Sequence, residues 1–309
     1  MKIRKFRPEE WRNIIQLWNR TLPGDPVSEN IFHKWLLTDP NYDPYGFRVL
    51  ESGGMIVAAV IGWHQIAESM FGNSLEDNKD RGFIFPLLVE DTDEGFEYGS
   101  ALLDDIENYF RALGKRSVHI NGLMPLFPDG ADSNLCTLYL RNGYVKVGEI
   151  CSMKADLYKY RIDPGIKDHI LEMEKEGFTF VNYHPDDMPA ILDFFTEENN
   201  EFRAEFQKKL QWGAPHDEFL FVKKGEKVVG YCQHNHYGYQ PERTGPFIVA
   251  GSMRGKKTGQ AMVARLLESM AFKGFHCAYF NTCEKHLCDF YAKNGYRVFR
   301  EKWVLQKSL

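Results

Sequence analysis

The sequence runs through one pattern twice, and a duplicated chain is confined to a fold that each copy can specify by itself. Near the start, Phe6-Arg7-Pro8-Glu9-Glu10-Trp11 leads into apolar Ile14, Ile15, Leu17 and Trp18. Later, Tyr183-His184-Pro185-Asp186-Asp187-Met188 leads into Ile191, Leu192, Phe194 and Phe195. Both stretches predict a short strand, an acidic helical turn opened by proline, and an amphipathic helix with apolar residues three and four apart. The same alignment carries Trp35 onto Trp212. A hairpin follows in each copy. The first has Phe47-Arg48-Val49-Leu50, a Gly53-Gly54 turn and the apolar run 56–61; the second has Phe219-Leu220-Phe221-Val222, a Lys224-Gly225 turn and the run 228–232. A further strand, a glycine-containing turn and a helix come next, with Leu102, Leu103, Ile106 and Phe110 answering Met262, Val263, Leu266 and Met270. The copies close alike: Cys136-Thr137-Leu138-Tyr139-Leu140-Arg141-Asn142-Gly143-Tyr144 and Cys288-Asp289-Phe290-Tyr291-Ala292-Lys293-Asn294-Gly295-Tyr296 share five identities in nine positions.

A length of 309 residues suits two such units. The expected domains are 1–157 and 177–309, joined by a charged linker, 158–176, that contains Asp163-Pro164-Gly165 and a short helix. With 38 Lys+Arg against 43 Asp+Glu, the net charge of −5 supplies no basic field for a nucleic-acid backbone, so no nucleic-acid partner is expected. No run approaches the ~18 apolar residues of a membrane span, and the opening Met1-Lys2-Ile3-Arg4-Lys5-Phe6 lacks an apolar signal core. A cytoplasmic location without a membrane partner is the expectation. Six irregularly spaced cysteines fit a reducing compartment, and the spacing of Cys283 and Cys288 departs from zinc-holding loops, so no metal site is predicted.

The element order resembles the GNAT N-acetyltransferase superfamily in tandem, an architecture similar to that of mycothiol synthase. The resemblance is carried above all by Phe247-Ile248-Val249-Ala250-Gly251-Ser252-Met253-Arg254-Gly255-Lys256-Lys257-Thr258-Gly259-Gln260-Ala261, similar to the family's acyl-CoA pyrophosphate loop, and by the closing Phe290 to Tyr296. It implies an α+β fold of two tandem GNAT-like acyl-CoA N-acyltransferase domains, each a mixed, mostly antiparallel sheet flanked by helices, with acetyl-CoA as cosubstrate. Free N–H groups at a helix N-terminus suit a pyrophosphate, glycine admits its close approach, and basic side chains add charge. Cofactor contacts are therefore expected at Arg254, Gly255, Lys256, Lys257, Thr258, Gly259 and Gln260. Two registers of the family pattern remain open. With Arg254 first, Lys257 replaces a glycine; with Lys256 first, lysine replaces Arg or Gln. The first copy holds Glu94 and Glu97 at the corresponding positions, within the acidic run Glu90-Asp91-Thr92-Asp93-Glu94, and should not take CoA.

Acetyl transfer to an amine needs a polarised thioester carbonyl, a deprotonated amine and a proton for the departing thiolate. The resemblance assigns the proton to Tyr291, with Tyr139 its structural counterpart. It places the thioester carbonyl on a backbone N–H near Val249, where Ile248 and Val249 lie on a strand that splays to admit the pantetheine arm. Asn281 is a candidate partner for the pantetheine amides, because Glu284 stands where the family often has asparagine. For the base, His234 and His236 fall on one strand face, Glu242 is the nearest carboxylate before the fourth strand, and His236 ranks first. The expected acceptor is a small-molecule primary amine, cationic or zwitterionic, drawn by the acidic loops; for Trp35, Trp63 and Trp212 core packing is the first expectation and cation–π contact with the amine the second. A catalytically inactive acyl-CoA-binding sensor or interaction module is the alternative.

Overall fold

In the computed structural model, which describes residues 1–67, 75–120, 130–235 and 238–309, the two copies become two units of like element order. Unit 1 comprises Met1–Ile150 and Glu301–Leu309, and unit 2 comprises Cys151–Arg300.

Unit 1 runs through β1 (Lys2–Lys5), α1 (Trp11–Thr21) and α2 (Glu29–Ile31), the last continuing into a π-helical turn at Phe32–Leu36. The hairpin β2 (Phe47–Ser52) and β3 (Met55–Trp63) follows, then α3 (Leu75–Asn78), β4 (Arg81–Leu88), α4 (Asp93–Ala112), β5 (Ser117–Ile120), α5 (Ser133–Arg141) and β6 (Val145–Asp156). The predicted proline-led turn is present at Pro8–Glu10, where the Glu10 carboxylate accepts the Arg7 N–H at 3.1 Å and pairs with Arg4 at 2.7 Å. The apolar positions of α4 (Leu102, Leu103, Ile106 and Phe110) are wholly buried in the core of this unit. Trp35 and Trp63, each 2% exposed, are core residues with no open ring face, and Trp63 Nε1 donates to the Phe85 carbonyl at 2.7 Å. Core packing, the role expected first for these two, is the one they take. Trp212 is exposed, and the Lys208 ammonium lies 4.9 Å from its ring centre.

Unit 2 repeats the order with α6 (Pro164–Lys175) ahead of it: β7 (Phe178–Asn182), α7 (Met188–Glu198), α8 (Asn200–Gln211), β8 (Phe219–Lys224), β9 (Lys227–His234), β10 (Thr244–Val249), α9 (Thr258–Phe272), β11 (Cys277–Glu284), α10 (Cys288–Ala292) and β12 (Tyr296–Ser308). Strands β10-β9-β8-β7 form an antiparallel sheet. On one face Tyr231 meets Phe195 of α7 at 4.9 Å and Phe206 of α8 at 6.1 Å. The opposite face receives α9, and Gly230 permits that approach, since a Cβ there would lie 3.2 Å from Met262 Sδ.

The units differ from the expected domains at both closing strands. Residues 145–150 of β6 stay in unit 1, whereas 151–156 belong to unit 2, where β6 stands beside β11. Conversely, the last nine residues, Glu301–Leu309, belong to unit 1, where Leu305↔Ile120 through Ser308↔Ser117 pair β12 antiparallel to β5. Each repeat thus hands part of its final strand to the other's sheet. At 12 and 13 residues, β6 and β12 are long enough to serve two ladders. The expected linker 158–176 is also structured: α6 buries Ile170 and Met173, its N-terminus is capped by Asp163, and it packs on α9 and β7. Because Leu305 is wholly buried in unit 1, Leu305→Ala should cost about 2–5 kcal/mol of stability. Denaturant unfolding measures this, and a loss near zero would remove the terminal strand from that core.

Candidate active site in the second unit

Strands β10 and β11 meet as parallel neighbours only at their starts. Tyr279 N–H donates to the Glu242 carbonyl at 3.0 Å, Thr244 Oγ1 donates to the Tyr279 carbonyl at 3.2 Å, and Arg243 forms an isolated bridge to Tyr279. Beyond that point the two strands belong to different sheets. On its other edge β10 pairs with β9, Ile248 opposite Tyr231 and Val249 opposite Gly230, and Ala250 N–H donates to the Val229 carbonyl at 2.9 Å. Successive strand residues direct their N–H groups to opposite edges, so the N–H of Val249 faces the gap toward β11. The strand passes from buried Thr244 and Gly245 to half-buried Pro246, Phe247, Ile248 and Val249, as a fork open at one end requires.

Tyr291 lies against both tines of this fork, its ring 5.6 Å from Phe247 of β10 and 4.7 Å from Phe280 of β11. Burial, with smaller contributions from the nearby Cys283 and Cys232, raises its pKa well above the ordinary phenol value. Tyr139, its counterpart, is 1% exposed and packs edge-on against Tyr144 at 5.2 Å. Phe290, beside Tyr291, explains Gly259: a Cβ there would sit 3.1 Å from the Phe290 ring.

After β10 the chain makes a 3-10 turn at Gly251–Met253 that is held by Glu198. The Glu198 carboxylate accepts the Gly251 N–H at 2.9 Å and lies 3.8 Å from the Arg254 guanidinium. Gly255 and Lys257 then take left-handed backbone conformations, φ +75° and +58°. A left-handed residue is a glycine-type position, which favours the register that begins at Arg254 and reads Lys257 as a replaced glycine. Helix α9 opens without a side-chain cap, its first bond running from Ala261 N–H to the Lys257 carbonyl at 3.1 Å. The amides of Thr258, Gly259 and Gln260 are left as free N-terminal donors. Thr258 Oγ1 is buried with no partner among the described residues. Exposed Arg254, Lys256 and Lys257 surround this end, and a cleft of about 300 Å³ beside it is lined by His169, Lys257, Gln260 and Lys293 together with Asp163 and Ile166.

The equivalent place in unit 1 is closed. The alignment that sets Leu102 on Met262 makes the first turn of α4 the counterpart of loop residues 253–257, so the first unit winds this loop into helix. Thr92 Oγ1 accepts the Gly95 N–H at 3.0 Å, Asp93 and Glu94 fill the first turn, and a Cβ on Gly95 would lie 2.1 Å from the Glu90 carbonyl. The helix end is capped, acidic and sterically full.

Of the base candidates, His236 lies outside the described residues. His234 is structural: Nδ1 bonds the Pro241 carbonyl at 3.0 Å, Nε2 bonds the Lys273 ammonium at 3.1 Å, and burial, aided by the Lys273 charge, pushes its pKa down to about 4. Glu242 stands at the closed end of the fork, accepting the Cys277 thiol at 3.1 Å, about 20 Å of strand from Val249. It lines a separate open cleft with Lys154, His276 and Arg297. Asn281 is buried on β11, and its carbonyl accepts Ser152 Oγ at 2.8 Å. The structure therefore gathers Val249, Tyr291 and the loop 254–260 about one fork and leaves Glu242 and His234 apart from it. Glu198, His169 and Lys293 join the site without a sequence signal of their own, since their roles arise from loop and helix packing.

Residues 215–298 match the family model described as an acetyltransferase (GNAT) domain. No curated protein matches the chain in sequence. Among solved structures, 99% of the chain superposes on a GCN5-related glucosamine N-acetyltransferase region of a fungal multi-domain beta-N-acetylglucosaminidase, with a TM-score of 0.76 and 18% identity, and spans 38% of that protein. A GCN5-related N-acetyltransferase from Sphaerobacter thermophilus is covered to 95%, with a TM-score of 0.67 and 14% identity over 99% of the chain. A tandem GNAT protein from the clavulanic acid biosynthesis pathway is covered to 98%, with a TM-score of 0.66 and 13% identity over 99% of the chain.

The environment of His234 makes stability acid-sensitive. An unfolded histidine takes its proton near pH 6.5, whereas the folded one resists until about pH 4. This contribution is complete above pH 6.5 and lost as the pH falls toward 4, about 3 kcal/mol in all. Unfolding midpoints measured from pH 7 to pH 4 should show the decline, and His234→Gln should flatten it.

Proposed function

The chain carries a GNAT acetyltransferase domain within a tandem GNAT fold, and from that premise we propose an acetyl-CoA-dependent N-acetyltransferase whose second unit transfers acetyl directly to a small-molecule primary amine. The observation that carries the reading is the fork with the Val249 amide on its inner edge, Tyr291 against both tines and an uncapped helix N-terminus at its open end. Acetyl-CoA supplies an activated acyl group and a good leaving thiolate. The amides of Thr258, Gly259 and Gln260, with Arg254, Lys256 and Lys257, would bind its pyrophosphate. Thr258 Oγ1 fits such an anion, since it offers a donor that no group among the described residues uses. Val249 N–H donates to the carbonyl oxygen on which negative charge develops as the amine attacks. Tyr291 gives its phenolic proton to the sulfur as the C–S bond breaks, and its raised pKa keeps that proton in place across the working pH range. The proton shed by the amine is assigned to His236. A cationic or zwitterionic acceptor belongs to this reading, in keeping with the net charge of −5.

A silent acyl-CoA sensor is the second reading, favoured by the lysine at position 257 and by the engagement of Glu242 with Cys277. Turnover separates the two. An amine panel with acetyl-CoA, read by CoA thiol release at two ionic strengths, should give a cationic acceptor whose kcat/KM falls with salt. Binding without turnover on any amine selects the sensor.

Tyr291→Phe should lower kcat by about 10²–10⁴ while leaving the acetyl-CoA Kd nearly unchanged, and Tyr139→Phe should leave kcat unchanged. In the unmodified protein the rate should rise with pH as the amine deprotonates, with no Tyr291-dependent fall below pH 10. Arg254→Glu should weaken acetyl-CoA binding at least tenfold, and calorimetry should count one site per chain. Two equivalent sites would contradict the closed helix end of unit 1.

A further inference from the structure

Three of the six cysteines meet in unit 2 from three separate elements. Cys151 comes from β6, Cys283 from the end of β11, and Cys288 opens α10. Their sulfur atoms all lie within 4.8 Å of one another, and the Cys151 and Cys288 sulfurs are 2.7 Å apart. That separation discriminates between two chemistries. Thiolates sharing a zinc ion at Zn–S ~2.3 Å stand roughly 3.8 Å apart, whereas a covalent S–S bond is ~2.05 Å. The observed distance is nearer the bond, and among the described residues no fourth ligand completes a zinc shell. Access also differs among the three: Cys151 and Cys283 are buried, whereas Cys288 alone of the six cysteines is partly open to solvent.

We propose that Cys151 and Cys288 are a reversible redox pair that closes to a disulfide on meeting a small-molecule disulfide. The Cys288 thiolate attacks one sulfur of RSSR, forming a mixed disulfide and releasing RS⁻, which takes up a proton as RSH. Cys151 then loses its proton and attacks the Cys288 sulfur, expelling the second RS⁻. The two cysteine sulfurs are oxidised and one RSSR is reduced to two RSH. Cys283, buried beside the pair, is not consumed in either step and remains reduced. The bond fastens the first residue of α10, one turn before Tyr291, to β6 and closes a loop between positions 137 apart in sequence. Closing so long a loop restricts the unfolded chain, so the oxidised protein should melt at a higher temperature.

The test equilibrates the full-length protein in glutathione buffers of rising oxidised-to-reduced ratio, then alkylates and weighs it. The proposal expects alkylatable thiols to fall from six to four, a Cys151–Cys288 cross-linked peptide, and a Tm increase that dithiothreitol reverses. Cys151→Ser and Cys288→Ser should each abolish the cross-link and the Tm increase, while Cys283→Ser and Cys136→Ser should retain both. Six alkylatable thiols under oxidising buffer would overturn the proposal. So would a Cys283–Cys288 link, or stoichiometric zinc that protects all three thiols and is lost in Cys283→Ser.

Discussion

Strands β10 and β11 begin as parallel partners and then part, and the site depends on that failure to pair. A central strand normally spends both rows of main-chain groups on its neighbours, and an unpaired N–H removed from water is costly. Here the row facing β9 is used and the row facing β11 is not. Phe247, Phe280 and Tyr291 pack ring against ring at the opening, with centres 4.7 to 6.0 Å apart. That open row lies on the strand that leads directly into the turn before α9, whose helix end carries no side-chain cap.

The two copies of this helix share their packing and differ in how the N-terminal end is finished. Both copies keep the apolar stripe that seats the helix on its sheet, Leu102 to Phe110 in one and Met262 to Met270 in the other. They differ in the turn before it. In α9 two left-handed residues, Gly255 and Lys257, stop the helix short and leave its amides open. In α4 Thr92 caps the end, Asp93 and Glu94 add negative charge where the helix dipole is positive, and the helix consumes the loop. Packing is preserved while the electrostatics at the helix end reverse.

Much of this was legible in the sequence because it is local. The periodicities at 14–18 and 191–195 gave helices, the glycine turns gave hairpins, and the run 254–261 gave a helix N-terminus, all of which the structure contains. Three features were not legible, each for a physical reason. The exchange of final strands is invisible because 145–156 and 296–308 read as strands whichever ladder they join. The stretch 158–176 looks like a linker because its charges dominate, yet Ile170 and Met173 suffice to seat α6. His234 and Glu242 are the right residue types in plausible places, but Pro241, Lys273 and Cys277 occupy their polar atoms, and partners at that range of sequence separation leave no periodic trace.

The exchange also decides which repeat supplies the last strand of each unit. Unit 2 uses residues 151–156 as the strand beside β11, and the Ser152 hydroxyl of that strand bonds the Asn281 carbonyl. Those residues are the continuation of β6, which starts in unit 1 at Val145. Unit 1 in turn closes β5 with Leu305 to Ser308 from the end of the chain. Neither sheet is complete on a single repeat, so the tine of the fork that carries Phe280 rests on a strand that only the first repeat can deliver.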